Sequence, residues 1–98
     1  MADFILLMHD DATSPERAAD WDAWFAILRA KGAFQGGSAI GRGASFRKVG
    51  APGEVSGHLN GFVRVTADSL AEAQALLAGN PVYEAGGTVE IRELPRSG

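Results

Sequence analysis

Residues able to do chemistry are few in this 98-residue chain, and the most suggestive are its two histidines. His9-Asp10-Asp11 sets an imidazole beside two carboxylates, and His58 is the second histidine. Imidazole titrates nearest to neutral pH, and a neighbouring carboxylate can orient it or share its proton. These types suit an acid–base pair, or ligands for a cation if the fold brings the second histidine close. We assign His9, His58 and Asp10 as candidate catalytic residues, with no metal and no cofactor expected. The plainer alternatives are a strand end running into a solvated loop for His9-Asp10-Asp11 and an exposed loop residue for His58. There is no cysteine, which removes thiol nucleophiles, disulfides and thiolate-bound zinc.

A second group could hold a ligand: Arg42 between two glycines, Asn80, Tyr83 and Trp21. A tryptophan lining a pocket suits a flat aromatic ligand, although Trp21 and Trp24 read most simply as core. Gly36-Gly37, Gly41 and Gly43 match neither of the phosphate-binding glycine spacings. Bulges and close backbone approach account for them better.

The elements that must position these residues follow from periodicity. Phe4 to Met8 is apolar on both parities, which predicts a central strand covered on both faces. Ser14-Pro15 has the chemistry of a helix start, and Gly32 that of a stop. Between them Ala18, Trp21, Trp24 or Phe25, and Leu28 form one apolar stripe. Ala33 to Ile40 reads as a second strand, and Ala44 to Val49 as a short extra one. Leu59 to Thr66 reads as the third main strand, with Gly61, Val63 and Val65 facing one way and Phe62, Arg64 and Thr66 the other. Asp68 or Ser69 caps a second helix, and Ser69 with Glu72 fits a capping box. Its buried stripe is Leu70, Ala73, Leu76 and Leu77, and Gly79 with Asn80-Pro81 ends it. Val82 to Ala85 is one short helical turn. Gly87 to Leu94 is the last strand, with Val89 and Ile91 alternating with polar residues.

This order is β-α-β-β-α-β in one domain, residues 1–98. The expected fold is α+β and ferredoxin-like, a four-stranded antiparallel sheet with two helices on one face. Apolar residues on the other face call for a second copy, giving a homodimer of the α+β barrel type. A net charge of −3 gives no basic footprint for nucleic acid, and no apolar run is long enough to cross a membrane. The start lacks a basic, signal-like region, so a cytoplasmic location is expected.

Gly61-Phe62, the Ser-Leu-x-Glu-Ala helix at residues 69–73, and the Asn80-Pro81 to Leu94 ending resemble the YCII-related family, also called the DGPF family. The resemblance implies the same fold. It also places Trp21 where one branch carries a catalytic histidine, and Asn80 where it carries an aspartate. Neither can accept a proton near neutral pH. The DGPF signature of the other branch falls near Val49-Gly50-Ala51-Pro52, where only the glycine is kept. The chain is similar to a divergent member. Two functions stay open: a domain binding a small molecule, and a cofactorless lyase or isomerase using His9 or His58.

Overall fold

Strand β1 (Ala2–His9) is hydrogen-bonded along both edges, as its doubly apolar run predicts. The structure, a computed structural model, describes residues 1–96. After β1 come helix α1 (Ala18–Ala30), β2 (Phe34–Ala39), β3 (Leu59–Ala67), helices α2 (Leu70–Ala75) and α3 (Pro81–Glu84), and β4 (Val89–Leu94). The sheet order is β2-β3-β1-β4, antiparallel throughout. The expected α+β architecture is therefore present, with three helices rather than two.

Register divides the sheet into two unlike faces. Leu6 lies between Val63 and Ile91, and Phe4 pairs with Val65. These side chains meet Trp24, Leu28, Ala73 and Val82 from the helices, and Leu77 from the turn after α2, in one core. Leu7 lies between Phe62 and Glu90, and Ile5 between Arg64 and Arg92. That face carries no helix, and Ile5, Leu7 and Phe62 are only half-buried.

Several local signals work as read. Gly32 takes φ +67 and closes α1 with a Schellman motif: its N–H donates to Arg29, and the Ala33 N–H donates to Leu28. The Ser69 hydroxyl accepts from the Glu72 N–H at 3.1 Å. The Glu72 carboxylate reaches back to the Asp68 N–H at 3.0 Å, one residue before the amide of the ideal box.

Other expectations fail for physical reasons. Helix α1 begins at Ala18, not at Ser14-Pro15, and Arg17 in the capping position makes no side-chain cap. The Thr13 and Ser14 hydroxyls instead donate to the Ala85 carbonyl, as do their backbone N–H groups, so this segment is tied to the end of α3. Ala18 is consequently exposed and leaves the stripe. Leu70, first in the six-residue α2, is 58% exposed, whereas Ala73, Leu76 and Leu77 are buried. Ala44 to Val49 forms no strand, and Phe46 and Val49 are almost wholly exposed.

Trp24 joins the helical layer to itself. It is fully buried, and its indole Nε1 donates to the Leu76 carbonyl at 2.8 Å. Trp24→Phe keeps most of the ring but leaves that buried carbonyl without this donor. A loss of about 1–3 kcal/mol is expected in chemical denaturation. Trp24→Ala adds a cavity and is expected to cost about 3–5 kcal/mol.

Candidate functional site

Two places in the fold bring functional side chains together, one on each side of the sheet. The first lies at the end of β1. A register shift falls between Met8 and His9, so His9 pairs with Leu59 rather than with Asn60. Such bulges re-aim side chains at the ends of ladders. The His9 N–H donates to the Thr88 carbonyl at 2.9 Å, and the Asp10 N–H donates to the His58 carbonyl at 2.7 Å. These bonds tie the ends of three strands. His9 and His58, 49 positions apart in sequence, have ring centroids 4.8 Å apart at 70°. The His9 Nε2 lies 2.9 Å from the Glu90 Oε1.

Glu90 belongs to this cluster although it was not among the residues assigned from sequence. Its position opposite Leu7 puts it on the helix-free face. The hydrogen bond from His9, with that from Arg92 on the other oxygen at 3.3 Å, holds its carboxyl below the usual carboxylate range. Asp11 is also lowered, because its carboxylate accepts from both the Thr88 hydroxyl and the Thr88 N–H at 2.7 Å. Asp11 thus fastens the loop after β1 to the start of β4. Asp10 is exposed and joins the cluster through its backbone.

The second place is a cavity of about 450 Å³ between α1 and the β2–β3 half of the sheet. Its aromatic wall is Trp21 and Phe25, with ring centroids 5.6 Å apart. The Trp21 Nε1 donates to the Glu16 Oε1 at 3.0 Å, which restrains the indole. Phe25 in turn packs on Phe34 at 5.3 Å. Met8 and Val63 line it on the sheet side, and Glu16, Ser38 and Asn60 add polar groups. Gly37 and Gly61 lie beneath, where side chains would otherwise fill the space.

Of the residues assigned from sequence, only Trp21 lines this cavity. The histidines, Asp10, Arg42, Asn80 and Tyr83 do not. Asn80 is fully buried, and its Oδ1 accepts from the Tyr83 N–H at 3.0 Å to cap α3. Tyr83 is exposed and lines a shallow hollow with Ala71, Gln74 and Ala75. Arg42 is exposed in the segment before β3. The meeting of residues from both helices, the glycine-rich segment and the two histidines at one site is therefore not what the structure shows. Glu16 was not among the residues assigned from sequence; its five-residue separation from Trp21 gives no helical-face signal.

Fold and cavity together define a ferredoxin-like α+β domain with an aromatic-walled hollow under its first helix. The sequence profile of the YCII-related domain matches residues 2–96, and the chain belongs to that family. Its structure is similar to that of 5-chloro-2-hydroxyhydroquinone dehydrochlorinase of Burkholderia phenoliruptrix AC1100, solved in complex with 2,5-dihydroxybenzoquinone. The TM-score is 0.54 over 97% of this chain and 95% of that one, at 15% identity, which is a likeness of fold. No curated protein matches the sequence significantly. No helix among the described residues is long and apolar enough to cross a membrane.

Gly37 gives a direct check on the cavity's construction. A Cβ there would lie 2.5 Å from the Phe62 carbonyl oxygen and 3.0 Å from the Val63 Cα, both backbone atoms. Gly37→Ala must push β2 from β3 and is expected to cost about 1–3 kcal/mol. Gly41 has nothing within 4 Å of its notional Cβ, and Gly41→Ala is expected to leave the melting temperature nearly unchanged. Equal effects of the two changes would disprove the close approach.

Proposed function

We propose that this protein binds a small planar, largely apolar molecule in the cavity beneath α1. The observation that carries the reading is Trp21, half-buried, hydrogen-bonded to Glu16 and edged by Phe25 over a floor of Met8, Val63 and two glycines. A volume of about 450 Å³ lies within the range of small-molecule sites. An aromatic face favours a flat ring, and Glu16, Ser38 and Asn60 offer partners for hydroxyl groups at its rim. The ligand of the structurally similar dehydrochlorinase is a planar dihydroxyquinone, which agrees with this class.

Chemistry on such a ligand would need a proton-transfer group within about 3 Å, directly or through one water. His9 and His58, the candidates for a lyase or isomerase, lie outside the cavity lining. Glu16 is the one ionisable side chain in that lining, and it is already engaged by the Trp21 indole, so binding is the function we propose for this cavity. A panel of dihydroxybenzenes, hydroxyquinones and aliphatic acids, scored by thermal shift, tests it. A planar compound at about a hundred times its dissociation constant should stabilise the protein by roughly 2.7 kcal/mol. Trp21→Leu should abolish the shift while leaving the circular dichroism spectrum native. Indifference to every planar compound, or equal shifts in the variant, would overturn the reading.

The reading includes a homodimer through the helix-free sheet face. Ile5, Leu7 and Phe62 are adjacent there, half-exposed, and ringed by Arg64, Glu90 and Arg92. A second copy would shield this strip and add to the modest core of a small domain. Light scattering at tens of micromolar should give twice the chain mass. Leu7→Glu should give the single mass, because an unpaired charge at the strip's centre opposes association.

A further inference from the structure

We propose that His9, His58 and Glu90 form a binding site for a transition-metal dication, Zn²⁺ or a first-row neighbour, on the helix-free side of the sheet. Each residue offers one donor atom, and the three atoms lie within 4.8 Å of one another. Two imidazole nitrogens and one carboxylate oxygen form a donor set that zinc and its neighbours accept and that magnesium and calcium do not favour. Tetrahedral zinc at about 2.0–2.2 Å from each donor needs donors roughly 3.3 Å apart. The His9 Nε2 and Glu90 Oε1 are already 2.9 Å apart. Only His58, which is exposed and precedes the strand, has to turn its ring.

The three ligands are held by separate strands whose ends are bonded together. His9 ends β1, Glu90 is in β4, and His58 lies immediately before β3. The His9 N–H to Thr88 and Asp10 N–H to His58 bonds fix the spacing of their backbones. The register shift at Met8/His9 falls at this point. Arg92 bonds the Glu90 Oε2, leaving Oε1 for the ion and fixing the carboxylate plane. Partners of this kind orient metal ligands. An ordinary histidine–glutamate pair accounts for His9 and Glu90, but not for a second imidazole 4.8 Å from the first. Three protein ligands leave a position for water or another small ligand.

The test uses the full, tag-free chain. Zn²⁺ is titrated calorimetrically, and Co²⁺ is followed by the intense visible absorption of low-coordinate cobalt, which the aqueous ion lacks. One ion per chain and that absorption are expected. His58→Ala removes a donor outside the strands, and Glu90→Gln removes the charge with little change of shape. Each should weaken Zn²⁺ binding at least tenfold, since even the supporting partners of metal ligands are worth roughly 10–100-fold. Circular dichroism checks that both variants remain folded, and Lys31→Ala, exposed at the end of α1 on the other side of the sheet, should bind as the unaltered protein does. Absence of saturable Zn²⁺ binding, purely octahedral cobalt, or full affinity in folded His58→Ala and Glu90→Gln proteins would overturn the proposal.

Discussion

The double pairing of β1 is the constraint on which the rest of the structure depends. A strand bonded on both edges must be apolar where either face is covered, and Phe4 to Met8 meets that demand on both parities. Its even-numbered residues anchor the core, with Leu6 between Val63 and Ile91. Its odd-numbered residues supply the helix-free strip. Because a one-residue slip would exchange the two faces, the core fixes the register of β1 against both β3 and β4. That register carries His9 to Glu90, 81 positions away in sequence, without any local signal joining them.

The cavity arises from the same sheet by omission. Trp21 and Trp24 are three residues apart and lie on neighbouring lines of α1. Trp24 stands over a sheet centre filled by Leu6, Val63 and Val65 and is sealed there. Trp21 lies one turn earlier, toward Gly37 and Gly61, where β2 and β3 each lack one side chain. A Cβ at Gly37 would meet the Phe62 carbonyl oxygen at 2.5 Å, so the close approach of the strands keeps that position bare. Close strand packing and an open hollow are thus one feature seen from two sides.

Much of the fold was legible because it rests on local chemistry: Gly32 in the left-handed region, Ser69 with Glu72, and the alternation in β3. The start of α1 was not, since Ser14 has the residue type of a cap but spends its hydroxyl on Ala85, 71 positions away. The approach of the two histidines followed from topology, because antiparallel neighbours bring one strand's end to the other's start. Glu90 and Glu16 did not follow. The first needs the β1–β4 register, and the second an extended segment before α1 that the misplaced helix start concealed.

Asn80 shows how the fold can keep a residue's structural task while its chemistry changes. The family resemblance places an aspartate here, and either side chain can cap α3 by accepting from the Tyr83 N–H. An aspartate at this fully buried position would carry a charge into the core, which is costly unless paired. Asparagine removes the charge but introduces an amide nitrogen that has no hydrogen-bond partner among the described residues. An unsatisfied buried donor costs about 1–3 kcal/mol, less than an unpaired buried carboxylate. The cap alone accounts for an Asx residue at position 80, whose side chain reaches no cavity among the described residues and serves only the start of α3.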